Sequence, residues 1–268
     1  SLREGEAITL KDNGSYDWGL VGAFYRISYS YKGKYLFETS GRYDGNSKFP
    51  SNQRWGFFPS GSAGWRISEE SFLRNAEWLD NLKLRVSVGS AGNGLISDTY
   101  AYLSTMSISQ SSLLNNGSVF NYTAAPSPIP DGLTWETAMT YDLGVDFEAF
   151  NGRLNFSADI YRKKTTDMYV VGEELPAVYG NSAPKGNYAD MHTDGWEASI
   201  SWRNTHTVGG KPLSYNIKVS VWDNTSKITR YTSKTGTLPT NYKVNYYEGM
   251  TLGEIWGYRC DGLFQSDE

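Results

Sequence analysis

The sequence predicts an all-β fold, an antiparallel transmembrane β-barrel, and three observations predict it. Apolar and polar residues alternate with a period of two along about eight segments. The connections between those segments are short on one side and long on the other. The chain of 268 residues carries 20 Tyr, 9 Trp and 11 Phe, and many of these stand towards the ends of the apolar faces.

The alternation is clean from the first segment. Over 20–31, Val21, Ala23, Tyr25, Ile27, Tyr29 and Tyr31 share one face, and Arg26, Ser28 and Ser30 share the other. Lys32-Gly33-Lys34 then forms a turn. Beyond it Tyr35, Phe37 and Tyr43 oppose Glu38, Ser40, Arg42 and Asp44, which completes a hairpin. Trp55, Phe57, Pro59, Gly61, Ala63 and Trp65 oppose Ser60, Ser62 and Arg66, and Leu82, Leu84, Val86 and Val88 oppose Lys83, Arg85 and Ser87.

The second half repeats the pattern. Tyr141, Leu143, Val145 and Phe147 oppose Asp142, Asp146 and Glu148. After Asn151-Gly152, Leu154, Phe156, Ala158 and Ile160 oppose Asn155, Ser157 and Asp159. Asn-Gly is the favoured pair for a type I′ turn, because both central residues need positive φ. Trp196, Ala198, Ile200 and Trp202 oppose Glu197, Ser199 and Arg203, and Tyr215, Ile217, Val219 and Val221 oppose Asn216, Lys218 and Ser220. Weaker strand material lies near 227–232 and 251–258.

Connections 32–34, 68–79, 151–152 and 204–212 are short or compact, whereas 46–54, 91–133, 166–194 and the stretch after 224 are longer. Short periplasmic turns and long extracellular loops describe an outer-membrane barrel. Within 68–79, Ser68, Phe72, Leu73, Ala76 and Leu79 allow a short helix, and an irregular connection fits equally well.

Composition narrows the classes. Net charge is −4, so nothing electrostatic points to nucleic acid. A mean hydropathy of −0.52 beside 15% aromatics fits a wall with one apolar face, one wet face and aromatic rims. One cysteine, Cys260, excludes an internal disulfide and a cysteine zinc site, and two histidines at no ligand spacing make a histidine metal site or triad improbable. No metal or cofactor is expected. No apolar run approaches the ~20 residues of a transmembrane helix. The N-terminus lacks a basic region followed by an apolar stretch, which for a secreted barrel suggests an internal piece.

A soluble β-sandwich also alternates, and a soluble carbohydrate-binding sandwich is the alternative reading. Strand length, roughly 10 residues against a globular mode of about 5–6, favours the barrel. So do the paired aromatics. Tyr35 with Tyr43, Trp55 with Trp65, and Trp196 with Trp202 are expected to anchor the wall at the two membrane interfaces.

Several segments resemble the SusC/RagA-like branch of TonB-dependent transporters. They are Tyr35-Leu-Phe-Glu-Thr-Ser-Gly-Arg-Tyr-Asp-Gly45, Phe49-Pro50, Arg54-Trp-Gly-Phe-Phe-Pro-Ser60, Ser62-Ala-Gly-Trp-Arg-Ile-Ser-Glu-Glu70 and Leu79-Asp-Asn-Leu-Lys-Leu-Arg85. Leu133-Thr-Trp-Glu-Thr137, Tyr161 to Met168, Gly195-Trp-Glu197 and Gly253-Glu-Ile-Trp-Gly-Tyr258 follow in consistent order. The resemblance implies a bacterial outer-membrane importer of glycans or peptides, of which this chain is part of the barrel: about eight to ten strands of a larger barrel, without the plug domain and TonB box. It also implies a SusD-like surface lipoprotein, the TonB complex, outer-membrane lipid, and an oligosaccharide or peptide ligand as partners.

Catalytic readings start poorly. Glu136, Asp142, Asp146 and Glu148 are close in sequence, but a glycosidase pair needs two carboxyls in different environments, and a hydrated wall solvates them alike. Gly89-Ser-Ala-Gly92 lacks the helix and Lys-Ser/Thr of a phosphate loop. No enzyme is expected. For substrate, the candidates are loop tyrosines: Tyr100, Tyr102 and Tyr122 in 91–133, and Tyr242, Tyr246 and Tyr247 beyond 240. Flat aromatic faces among hydroxyl and amide groups suit sugar rings or peptide, and packing of the loops against each other or a partner is the competing reading.

Overall fold

The computed structural model describes residues 17–94, 96, 101–104, 106, 108–115, 118–123, 126, 128–130, 132–172, 175–176, 178, 180, 183–232, 246–255 and 257. Its strands are β1 (Leu20–Tyr31), β2 (Tyr35–Asn46), β3 (Trp55–Arg66), β4 (Leu79–Asn93), β5 (Ile108–Asn115), β6 (Ser118–Thr123), β7 (Glu136–Ala149), β8 (Leu154–Val171), β9 (Lys185–Val208) and β10 (Lys211–Tyr231). Eight of them make one antiparallel sheet in the order β1-β2-β3-β4-β7-β8-β9-β10, so each strand pairs with its neighbour in the meander, and β5-β6 forms a separate hairpin. The sheet is not closed among the described residues. It is a partial barrel wall.

The turns follow from backbone freedom. Lys32 and Gly33 have φ of 54° and 68°, Asn151 and Gly152 of 56° and 70°, and Gly209 and Gly210 of 58° and 79°. Positive φ at consecutive positions matches the right-handed twist of the flanking strands, which holds these connections tight. The 68–79 connection holds one 3-10 turn, Ile67–Glu69, followed by irregular turns rather than a helix.

Four connections differ from the sequence expectation, one of them because β10 continues past 224 to Tyr231. The strands β8 and β9 run far beyond the alternating cores, to Val171 and from Lys185, so most of 166–194 is strand. The β9–β10 turn contracts to Gly209-Gly210, and the long 91–133 connection contains the β5-β6 hairpin. Polar residues in these extensions hide the period from a pattern reading; backbone pairing in a long hairpin needs no apolar face.

Register fixes the tilt of the strands. One hydrogen-bonded row runs Tyr35–Trp65–Leu84–Val145–Ala158–Ala198–Val221. At the short-turn end, the aromatic limit of the outward face passes from Trp65 on β3 to Trp202 on β9, which lies four residues beyond Ala198 in four strand steps. A drift of one residue per strand, at ~3.4 Å along and ~4.8 Å across, is a tilt of roughly 35°. That is the tilt of a barrel wall.

Candidate functional site: the inner wall and its aromatic wedge

The two faces of the sheet are chemically distinct. The outward face exposes Tyr25, Ile27, Phe37, Phe57, Val86, Leu143, Ile160 and Ile200, each 47% exposed or more apart from Tyr25 at 42%. No second sheet covers them among the described residues. At the long-loop end Tyr43 stacks on Trp55 at 5.0 Å and 10°. At the short-turn end Tyr31 stacks on Tyr35, Trp78 meets Phe147, Phe150 meets Trp202, and His206 stacks on Tyr215. Of the six aromatic residues read as anchors, Tyr35 and Trp65 thus stand at the lower limit with Trp202, and Tyr43 and Trp55 at the upper limit, while Trp196 closes the apolar row of β9.

The inward face is polar and internally paired. Arg26 Nη2 and Ser28 Oγ both donate to Glu38 Oε2, at 2.8 and 3.0 Å. Arg85 bridges three strands: Nε donates to Asp146 Oδ2 at 2.8 Å and Nη2 to Asp159 Oδ1 at 2.8 Å. Asp142, Asp146 and Glu148 do share this face, as the alternation predicts, but Asp146 is engaged by Arg85 and Glu148 lies 3.9 Å from Arg203. Ser157 and Ser199 hydroxyls pair at 2.9 Å. Among the described residues no three His, Cys, Asp or Glu side chains converge to hold a metal.

Towards the long-loop end the inner face becomes a cavity of about 800 Å³. β1 contributes Phe24, which is 79% exposed although it sits on the polar face. β2 contributes Arg42 and Asp44, joined at 3.1 and 3.2 Å, and Asn46. Asn46 Nδ2 donates to Gly94 O at 3.3 Å, and Lys48 Nζ donates to Ile96 O at 2.9 Å while standing 5.0 Å over the Trp18 ring. These bonds fix the 47–54 and post-β4 segments to the wall. Flat aromatic faces beside a guanidinium, a carboxylate and an amide can bind polar oligomers by stacking and hydrogen bonding.

A buried wedge borders this cavity. Strand pairing between β3 and β4 stops at Ser60–Gly89, although β3 stays paired with β2 as far as Trp55 and β4 with β7 as far as Asn93. Phe49, Phe58, Ile96, Leu133 and Trp135 cluster where they part. Phe49 and Leu133 are 0% and 1% exposed. Trp135 lies 5.0 Å from Phe49 and 5.4 Å, edge-on, from Phe58, and its indole N–H donates to Arg54 O at 3.0 Å. A side chain at Gly56 or Gly92 would strike the Phe58 ring, at 2.6 and 2.0 Å, so glycine there makes room for the wedge.

The loop tyrosines are not gathered into one site. Tyr102 packs against the wedge. Tyr122 is exposed on β6 and Tyr246 is exposed and edge-on to Tyr231 at 6.3 Å. The Tyr247 hydroxyl bonds the Glu254 carboxylate. Tyr100 and Tyr242 lie outside the described residues. Sequence reading missed Phe24, Arg42, Asn46, Lys48 and Trp18 as cavity residues. Aromatics on the polar faces of β1 and β3, Phe24 and Phe58, were the available signal.

Comparison with known proteins agrees with this architecture. Residues 8–257 match the family described as TonB dependent receptor-like, beta-barrel. A TonB-dependent receptor of Formosa agariphila is 32% identical over 252 residues, covering 93% of this chain and 23% of the relative. TonB-dependent receptor SusC of Bacteroides thetaiotaomicron is 32% identical over 220 residues, covering 80% of this chain and 21% of the relative. The chain therefore spans about a quarter of the length of these relatives. The fold is similar to that in the structure of the RagAB peptide transporter, with a TM-score of 0.68 and 23% identity over 87% of this chain and 25% of that one.

Proposed function

The chain belongs to the family of TonB dependent receptor-like β-barrels, in its SusC/RagA-like branch, and from that membership we propose that it forms part of the wall of an outer-membrane importer. The cargo would be an oligosaccharide or a peptide, taken up from the long-loop side. The observation that carries this reading is the pairing of an uncovered apolar outer face with a polar, ion-paired inner face on one tilted antiparallel sheet. Such a sheet is stable where lipid replaces the missing second layer.

In this reading the inner cavity beside Phe24, Arg42 and Asp44 meets the cargo first, and Tyr122 and Tyr246 offer further exposed rings elsewhere among the loops. Tyr35, Tyr43, Trp55, Trp65, Trp196 and Trp202 hold the wall at the two interfaces. The loops face a SusD-like surface lipoprotein, and energy comes from TonB through parts of the receptor outside this segment. No catalysis is proposed, since family and relatives are receptors. A soluble carbohydrate-binding sandwich is disfavoured because it would need a second sheet over Phe37, Leu143 and Ile160.

The test is uptake by cells in which the full-length receptor is deleted and then restored. Fluorescent oligosaccharides and oligopeptides are offered with and without a protonophore. Restored, protonophore-sensitive uptake of one class supports the reading. Uptake indifferent to the deletion, with the receptor in the soluble fraction, overturns it.

A further inference from the structure

On the outward face, just beyond the apolar band, three basic side chains share one hydrogen-bonded row. Lys164 on β8 stands opposite His192 on β9, and His192 stands opposite Lys227 on β10. Direct cross-strand neighbours have Cβ atoms about 4.5–5.5 Å apart, so the two lysine stems, one on each side of the imidazole, can converge on one group above it. The carboxylates around them are largely occupied. Asp194, 3.8 Å from His192 Nε2, accepts both Nε and Nη2 of Arg162 at 2.5 and 2.6 Å. Above the row, Arg230 engages Asp190 at 2.7 Å and Asp167 at 3.0 Å. Below it, Asp223 lies opposite Trp196, and its side chain accepts from the Asn224 N–H. Among the described residues neither Lys164 nor Lys227 forms an ion pair; Lys164 Nζ stands 5.9 Å over the Tyr141 ring.

The row sits at a defined level of the wall. Ile160 and Trp196 end the apolar run on β8 and β9; Arg162 and Asp194 come next, then Lys164 and His192. In a bilayer that places the row at headgroup level, where long lysine stems lie along apolar wall and lift their ammonium groups to the interface. We infer that Lys164, His192 and Lys227 form a site on the lipid-facing wall for the phosphate of an outer-leaflet lipid headgroup. The phosphate accepts charge-assisted hydrogen bonds from the two lysines and a hydrogen bond from the imidazole N–H, which together span three adjacent strands. The inference rests on the outer-membrane reading and goes beyond it, because import needs no headgroup site.

The test uses the full-length receptor in nanodiscs of phosphatidylcholine with or without monophosphoryl lipid A, with retained lipid counted by native mass spectrometry. Each lysine is expected to contribute roughly fivefold, so K164Q/K227Q should retain at least about tenfold less lipid A than the unaltered receptor. K164R/K227R should retain as much, and K163Q, on the inward face of the same strand, should be unchanged. Equal retention by K164Q/K227Q, or an equal loss in K163Q, overturns the inference. A receptor that does not enter the bilayer overturns the outer-membrane reading instead; one that enters and ignores Lys164 and Lys227 overturns only this site.

Discussion

The indole N–H of Trp65 donates to Glu70 Oε1 at 3.2 Å, across the turn that joins β3 to β4. The same oxygen accepts the Tyr35 hydroxyl at 2.8 Å, and Oε2 accepts Lys34 Nζ at 2.9 Å. One carboxylate thereby ties two lower-rim aromatics to the β1–β2 turn. These donors hold the Glu70 carboxyl at about 2, well below its ordinary 4.5.

A carboxyl whose folded pKa is depressed contributes stability that is fully present above about 4.5 and is lost as pH falls towards 2. Hydrogen exchange of the β1–β2 and β3–β4 turns should therefore quicken between those limits. In E70Q the added acid sensitivity in that window should vanish, with faster exchange already at neutral pH. An unchanged acid profile in E70Q contradicts the assignment.

The wedge should hold the long-loop end. Trp135→Ala removes the ring that touches both Phe49 and Phe58, and truncating a buried Trp costs about 3–5 kcal/mol. Limited proteolysis should cut the 47–54 and 94–135 connections much faster in the variant while strand content by circular dichroism persists. Gly92→Ala should act in the same direction, because its methyl group displaces Phe58.

The two faces should respond oppositely to one charge. Leu143→Lys puts an amine on the outward face midway between the aromatic limits, at a cost of roughly 2–4 kcal/mol near the midplane. Ser87→Lys puts it on the inward face opposite Asp142, at little cost. Urea unfolding of the receptor in lipid vesicles should lose stability in the first variant and remain within about 0.5 kcal/mol in the second.

Arg85 should couple three strands. Replacing it by Ala leaves Asp146 and Asp159, diagonal neighbours on β7 and β8, without their shared cation, at a cost on the order of 1–2 kcal/mol, between exposed and buried pairs. D146N should recover part of that loss in the double variant, and a cycle showing no coupling would count against the network.

Much of the wall was legible in the sequence because alternation is the physics of a two-faced sheet. The faces read from alternation are the ones the structure pairs, as Tyr35 with Trp65 and Leu84 with Val145 show, while the register between them comes from the turns and the tilt. The wedge was not legible. Phe58 occupies a polar-face position, and its burial depends on β3 and β4 parting at Ser60–Gly89, which no local pattern announces. Phe49, Ile96 and Leu133 come from three separate loop or strand-end segments, joined only in space. The same holds for Tyr102, whose packing against the wedge is a tertiary outcome of loop residues that read equally well as ligand contacts.

A tilted wall with lipid outside and water inside exposes alternate residues of β8 to the two phases, which site-specific quenching along that strand reads out. Single cysteines at positions 155 to 160 of the full-length receptor, in a background lacking Cys260, carry a fluorophore in vesicles with nitroxide-labelled lipid. Quenching by lipid is expected at 156, 158 and 160, and quenching by aqueous iodide at 155, 157 and 159. Equal quenching at all six positions, or lipid contact at none, would contradict such a wall.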